Sequence, residues 1–303
     1  MIDLSSCLSE SAIQISDRTS CSKNSNVSCM ISPNSTPSTQ NTVTCLYRTI
    51  LSTRKKILIT VTWSKNSLSQ GLSITIGEDP SISFKVNTNP RLFRKLKGSK
   101  SLEFQGCKVE VFWDFSSARY RSVHEPEPDD GYYIFITFDS ELGMFLGDKA
   151  RETLQKQEKS GPRMAKFSLI TRHEHFSGNS HYQTRAKFCE TGAAHDILIR
   201  RSGELEGRKN SELSVSIDKK TVIRVRSLQW NFRGNQTIFL DGLLVDLMWN
   251  VHDWFCNPDS GHGVFMFRTR SGRDSRLWME EKILHKDEKE EFSLMIFAAC
   301  KNM

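Results

Sequence analysis

The sequence predicts an all-β protein: duplicated antiparallel β-sandwich or barrel halves with one short helix between them. Three observations carry that reading. Short runs of alternating apolar and polar residues, rich in β-branched and aromatic side chains, recur along the chain, as strands with one buried face require. Turn residues separate these runs at short intervals, and a single stretch, residues 149–158, reads as a convincing helix. Finally, residues 98–113 return without a gap at 234–249, where Gly98/Gly234, Gly106/Gly242, Val109/Val245 and Trp113/Trp249 coincide. Self-similarity of this kind points to a repeated unit.

Within the repeated stretch, Val109, Val111, Trp113 and Phe115 alternate with Lys108, Glu110, Phe112 and Asp114, and Val245, Leu247, Trp249 and Val251 repeat the pattern. Gly106 and Gly242 precede these strands where a tight turn needs positive φ, so each copy is expected to form a β-hairpin ending in a core tryptophan. The likeness spreads outward. Residues 56–59 resemble 196–199, 72–76 resemble 213–217, 84–86 resemble 223–225, and 131–135 resemble 263–267.

In chain order, residues 1–40 are dense in Ser, Asn and Thr and are expected to be a mobile leader, with too little apolar surface to offset ordering entropy. The first half is placed at 41–160, with strands at 42–51, 56–63, 72–76 and 82–86, the hairpin, and strands at 132–138 and 142–146. Asp148 is placed to cap the helix, which Gly161 and Pro162 end. The second half, 161–303, carries strands at 165–175, 182–189, 196–200, 213–217 and 221–228, then the hairpin, then 263–269, 276–284 and 291–300. Whether the halves form separate barrels or share one core is not legible.

Composition narrows the function classes. The chain has 303 residues and a net charge of +7, a modest excess suited to an acidic partner. Its eight cysteines form no C-x-x-C pair, which fits a reducing, intracellular setting (cytoplasmic or nuclear) better than a disulfide framework. No signal peptide or spanning apolar run is present, so a soluble protein is expected.

No phosphate-cradling glycine loop and no nucleophile elbow occur, and no cofactor motif is found. His173, Glu174 and His175 put two imidazoles on one strand face, the start of a metal set for which His181 is the nearest third ligand; two ligands are not a site, a polar face toward water is the preferred reading, and no metal is assigned. His252 and Asp253 beside Trp254 invite a general-base reading and mark a candidate pocket. Neighbours on a continuing strand point to opposite faces, however, and Cys256 reaches His252 only if the chain curls there. Before the first hairpin stand Phe93, Arg94 and Lys95; before the second stand Trp230, Phe232 and Arg233. Aromatic-plus-basic groups at matching places form the candidate binding surface (Arg94, Lys95, Trp230 and Arg233), against the alternative of core aromatics with cations lying past them.

The segments 228–235 and 249–255, together with 43–47, 146–148, 172–175 and the Ser-rich leader, resemble a plant-specific family known as domain of unknown function 868. The resemblance covers nearly the whole chain and implies a plant protein; it carries no activity, ligand or catalytic residue. Residues 251–253 face 115–117 in the first copy, where no His or Asp stands, so the two copies differ there.

The reading adopted is a non-enzymatic β-rich binding or interaction module, with another protein or an acidic ligand as partner. The alternatives are a small-ligand carrier or enzyme with a barrel pocket, and nucleic-acid binding.

Overall fold

The computed structural model describes residues 39–66, 68–89, 96–122, 125–156, 163–178, 181–189, 192–202, 211–256, 261–270 and 291–299. Residues 1–38 of the expected leader, the strand at 276–284, the boundary at 160/161, and Arg94 and Lys95 lie outside these described residues, while the leader's last two residues, Thr39 and Gln40, belong to a strand.

The first half begins with β1 (Thr39–Ile50), β2 (Lys56–Lys65), β3 (Gln70–Ile76) and β4 (Ser83–Asn87), paired antiparallel in chain order. A second antiparallel set follows: β5 (Lys97–Phe104), β6 (Cys107–Asp114), β7 (Tyr133–Phe138) and β8 (Glu141–Leu146). Helix α1 (Asp148–Lys156) and β9 (Lys166–Ser177) come next. The pattern then returns, with β10 (His181–Lys187), β11 (Ala194–Ser202), β12 (Glu212–Ile217) and β13 (Lys220–Val225), then β14 (Arg233–Leu240), β15 (Leu243–Asn250), β16 (His262–Thr269) and β17 (Ser293–Ala299). A four-residue helix, α2 (Asp253–Cys256), interrupts the second set and was not expected.

Each half is thus four strands in one sheet followed by four in another, in the same order. The sequence likenesses fall on strands in the same place in each half's order, 72–76 and 213–217 on β3 and β12, 56–59 and 196–199 on β2 and β11. The register slips by two residues on the second pair, however: Ile59 pairs with Ile76, whereas Ile197 pairs with Ile217. The hairpin turns match as well. Gln105 and Gly106 have φ of 49° and 76°, and Asp241 and Gly242 have 51° and 76°, the two positive angles of a tight hairpin turn.

The assembly of the halves is not symmetric. β1–β4 of the first half and β14–β17 of the second join a nine-stranded sheet, in the order β14-β15-β16-β17-β9-β1-β2-β3-β4. β5–β8 and β10–β13 form separate four-stranded sheets. None of the three closes into a barrel, so of the expected sandwich or barrel halves the structure has sandwiches of open sheets. β9 is the extra strand: it runs antiparallel to β1 and parallel to β17.

Two hydrophobic cores result. One gathers Val43, Val61, Trp63, Ile74, Val109, Val111 and Ile136 between the first half's sheets; the other gathers Ile197, Val215, Val245, Leu247, Trp254, Phe265 and Leu294 between the second's. Alternation of buried and half-buried positions, as in Ile57, Ile59, Val61 and Trp63 on β2, is what burying one strand face dictates. Trp113 and Trp249 are half-buried at the margins of these cores, each opposite a glycine on the neighbouring strand. A Cβ on Gly98 would come within 2.8 Å of the Trp113 ring, and one on Gly234 within 2.2 Å of Trp249. Those glycines let the indoles lie flat across β5 and β14.

At the seam the inner face of β9 carries charge. Arg172 stands beside Cys45 of β1 and Leu294 of β17; Glu174 stands beside Val43 and Ile296. Val43 and Cys45 belong to one core, Leu294 and Ile296 to the other. The Arg172 guanidinium pairs with Glu174, whose side chain is 0% exposed, and with Glu127 at 2.7 Å from the loop before β7. It also reaches Cys45 Sγ at 3.5 Å. Burial pushes the Cys45 thiol up to about 12, so it stays protonated.

Candidate functional site

The connector from β13 to β14 builds the site. Ser227 has a φ of 54°, and its carbonyl accepts the N–H groups of Trp230 (2.9 Å) and Asn231 (3.2 Å). The Asn231 side chain donates to Arg226 O at 2.9 Å, closing the turn. Held this way, Trp230 is 80% exposed while Phe232 is half-buried against the second core. Trp249 Nε1 donates to Asn231 O at 3.1 Å and fixes the connector to β15.

Beside the turn lies an open hollow of about 780 Å³, lined by Arg224, Arg226, Asn231, Arg233, Asn235 and Trp249 among others. Arg224 and Arg226 share Glu212 at 3.3 and 3.7 Å. Arg233 Nε donates to Asn250 Oδ1 at 3.3 Å, and its guanidinium sits 5.8 Å from the Phe232 ring. Among the described residues, three guanidinium groups therefore line the hollow with one paired carboxylate, and the connector that supplies Asn231 to it also carries the exposed Trp230. Register puts Lys85 and Asn87 of the first half where Arg224 and Arg226 stand in the second, and Lys97 where Arg233 stands.

The candidate pocket residues separate. Trp254 is 1% exposed and belongs to the core, its Nε1 donating to Ala298 O at 2.9 Å. His252 stays half-exposed, its ring edge-on to Phe232. The chain does curl after β15. α2 brings Cys256 Sγ within 3.2 Å of His252 Nε2, while His252 Nδ1 lies 3.4 Å from Asp253 Oδ1.

The histidines of β9 are otherwise engaged. His175 stacks on Phe297 with centroids 4.6 Å apart, His173 meets the same ring edge-on, and Glu174 faces the opposite way toward Arg172. Burial lowers His173, His175 and His181 below the usual imidazole value. No group of three His, Cys, Asp or Glu is placed to hold a metal among the described residues.

One titratable cluster escaped sequence reading because its members are far apart in the chain. His195 on β11 binds Asp218 (Nδ1, 2.6 Å) and Asp241 (Nε2, 2.9 Å), tying the β12–β13 turn to the β14–β15 turn. In the first half, Lys55 Nζ reaches Gln105 O, in the β5–β6 turn, at 3.5 Å. Burial opposes charge on His195, but the two carboxylates outweigh it and raise the imidazole above its ordinary 6.5. A raised folded value means the clamp contributes its full stability below pH 6.5 and loses it as pH rises through the folded value. The difference in unfolding free energy between the wild type and His195→Gln is therefore expected to be largest near pH 6 and to shrink toward pH 9. Urea titrations across that range check it; a constant difference would contradict it.

No helix among the described residues is long and apolar enough to cross a membrane. A family model described as "Plant protein of unknown function (DUF868)" matches residues 38–301. No curated protein and no solved structure matches the chain.

Proposed function

We infer, for a chain that belongs to this plant family of unknown function, a non-enzymatic binding role in which the hollow beside the second hairpin receives an acidic ligand. The observation that carries the reading is the set of Arg224, Arg226 and Arg233 around an open hollow next to Trp230. Guanidinium groups offer paired donors that match carboxylate geometry, and an exposed indole supplies a flat apolar face. Against the carrier-or-enzyme alternative, the two hollows described are both open rather than enclosed.

The test uses a fluorescent polyglutamate peptide followed by anisotropy at low salt. Arg226→Glu combined with Arg233→Glu should weaken binding by at least roughly tenfold, since hydrogen bonds to charged groups are worth about 1.5–3 kcal/mol each. Both residues are exposed, so the fold should be unaffected. Unchanged affinity would remove this surface from the reading. The exposure of Trp230 also supports nucleic-acid binding, because bases stack on such a ring. For three phosphate contacts, a single-stranded oligonucleotide would show a log–log salt slope of about −2 and would weaken with Trp230→Ala; a flat salt response excludes it.

A further inference from the structure

We propose that Cys256 is a nucleophilic thiol, activated by His252, that forms mixed disulfides with small disulfide molecules. The geometry comes from the break in β15. Were the strand to continue, His252 and Asp253 would face apart; instead α2 begins, and Cys256 N donates to His252 O at 3.2 Å. That one helical turn lays the thiol against the imidazole, with Sγ 3.2 Å from Nε2. The Asp253 carboxylate lies 3.4 Å from the other ring nitrogen of His252 and 3.6 Å from His262 Nδ1 on β16. Nucleophile, base and orienting carboxylate thus stand in line, the arrangement that makes a thiol reactive. Facing the imidazole from another element is Phe232; Asn250 Oδ1 accepts both the His252 backbone N–H and Arg233 Nε, at 3.3 Å each, and so fixes the start of the turn. Cys256 is exposed, whereas Cys107 and Cys189 are half-buried and Cys45 is enclosed.

The step balances without another reactant. His252 Nε2 takes the Cys256 proton, and the thiolate attacks one sulfur of the disulfide. The S–S bond breaks as the Cys256–sulfur bond forms, and the departing thiolate takes the proton back from the imidazolium. Asp253 is a positioning residue, holding the ring with Nε2 toward sulfur.

The experiment treats the intact chain with oxidised glutathione between pH 6 and pH 9 and maps thiolation at each cysteine by mass spectrometry. Cys256 is expected to react first at pH 7. His252→Gln should slow it by roughly tenfold there, with the loss shrinking toward pH 9, where thiols ionise without a neighbouring base. Asp253→Asn should slow it less, with the same dependence on pH. An unchanged near-ultraviolet circular dichroism spectrum checks that each variant is folded, and Cys189 serves as an internal reference. Reaction at Cys256 no faster than at Cys189, or a pH profile indifferent to His252, would overturn the proposal.

Discussion

Replacing Trp254 by alanine is expected to cost about 3–5 kcal/mol of unfolding free energy, the range for truncating a large buried aromatic side chain. The indole is 1% exposed in the second core, stacked on Tyr182 (centroids 5.9 Å apart, planes 18° apart) and tilted against Phe265. Its Nε1 hydrogen bond to Ala298 O would be lost, leaving a buried carbonyl without that donor. Nothing beneath can move in to fill the space: Gly263 lies under the ring, so close that a Cβ there would be 2.5 Å from Cζ2. Urea unfolding measures the loss. Trp230→Ala, at a position 80% exposed, is the comparison and should change stability by no more than about 0.5 kcal/mol. A Trp254→Ala loss as small as that of Trp230→Ala would mean that residue 254 is not a core position.

The contrast between these two tryptophans shows what the sequence carries and what it does not. Period-two alternation identifies strands because only one face of each is buried, and it located β2, β3, β6, β7, β12, β15 and β16 from residues alone. The hairpin turns were legible through Gly106 and Gly242, whose φ of 76° is cheap only for glycine. Alternation says nothing once a strand ends, and so the 250s were misread. Trp254 was grouped with His252 as a pocket wall, yet the turn of α2 sends the indole inward and leaves the imidazole at the surface.

Sheet partners were illegible for a different reason. Pairing joins residues far apart in sequence, and β9 carries no mark that it would lie between β1 and β17. His173 and His175 share one outward face of β9, as the alternation implies, but nothing local marks that Arg172 and Glu174 on the other face pair with each other inside the fold. The His195 clamp depends on carboxylates 23 and 46 residues away and left no local pattern. The candidate surface was legible in part. Of the proposed surface, Arg233 and Trp230 have a sequence signal, their place before the hairpin, whereas Arg224 and Arg226 meet Arg233 at the hollow only once β13 is paired with β12.

That one strand, β9, binds two sandwiches through a buried ion cluster can be tested at Arg172. Its side chain is 14% exposed, and the guanidinium lies between two carboxylates, Glu127 and Glu174, where one core meets the other. Removing the charge leaves those carboxylates without their cation. Breaking a buried pair in this way costs about 3–5 kcal/mol, whereas replacing the whole cluster by apolar residues of similar volume is often neutral or stabilising. The decisive measurement is the urea unfolding free energy of Arg172→Met alone and of Arg172→Met with Glu127→Gln and Glu174→Leu. The single variant should fall by about 3–5 kcal/mol and the triple should recover most of it. A single variant within about 0.5 kcal/mol of the wild type, as at an exposed surface position, would contradict a sealed seam along β9.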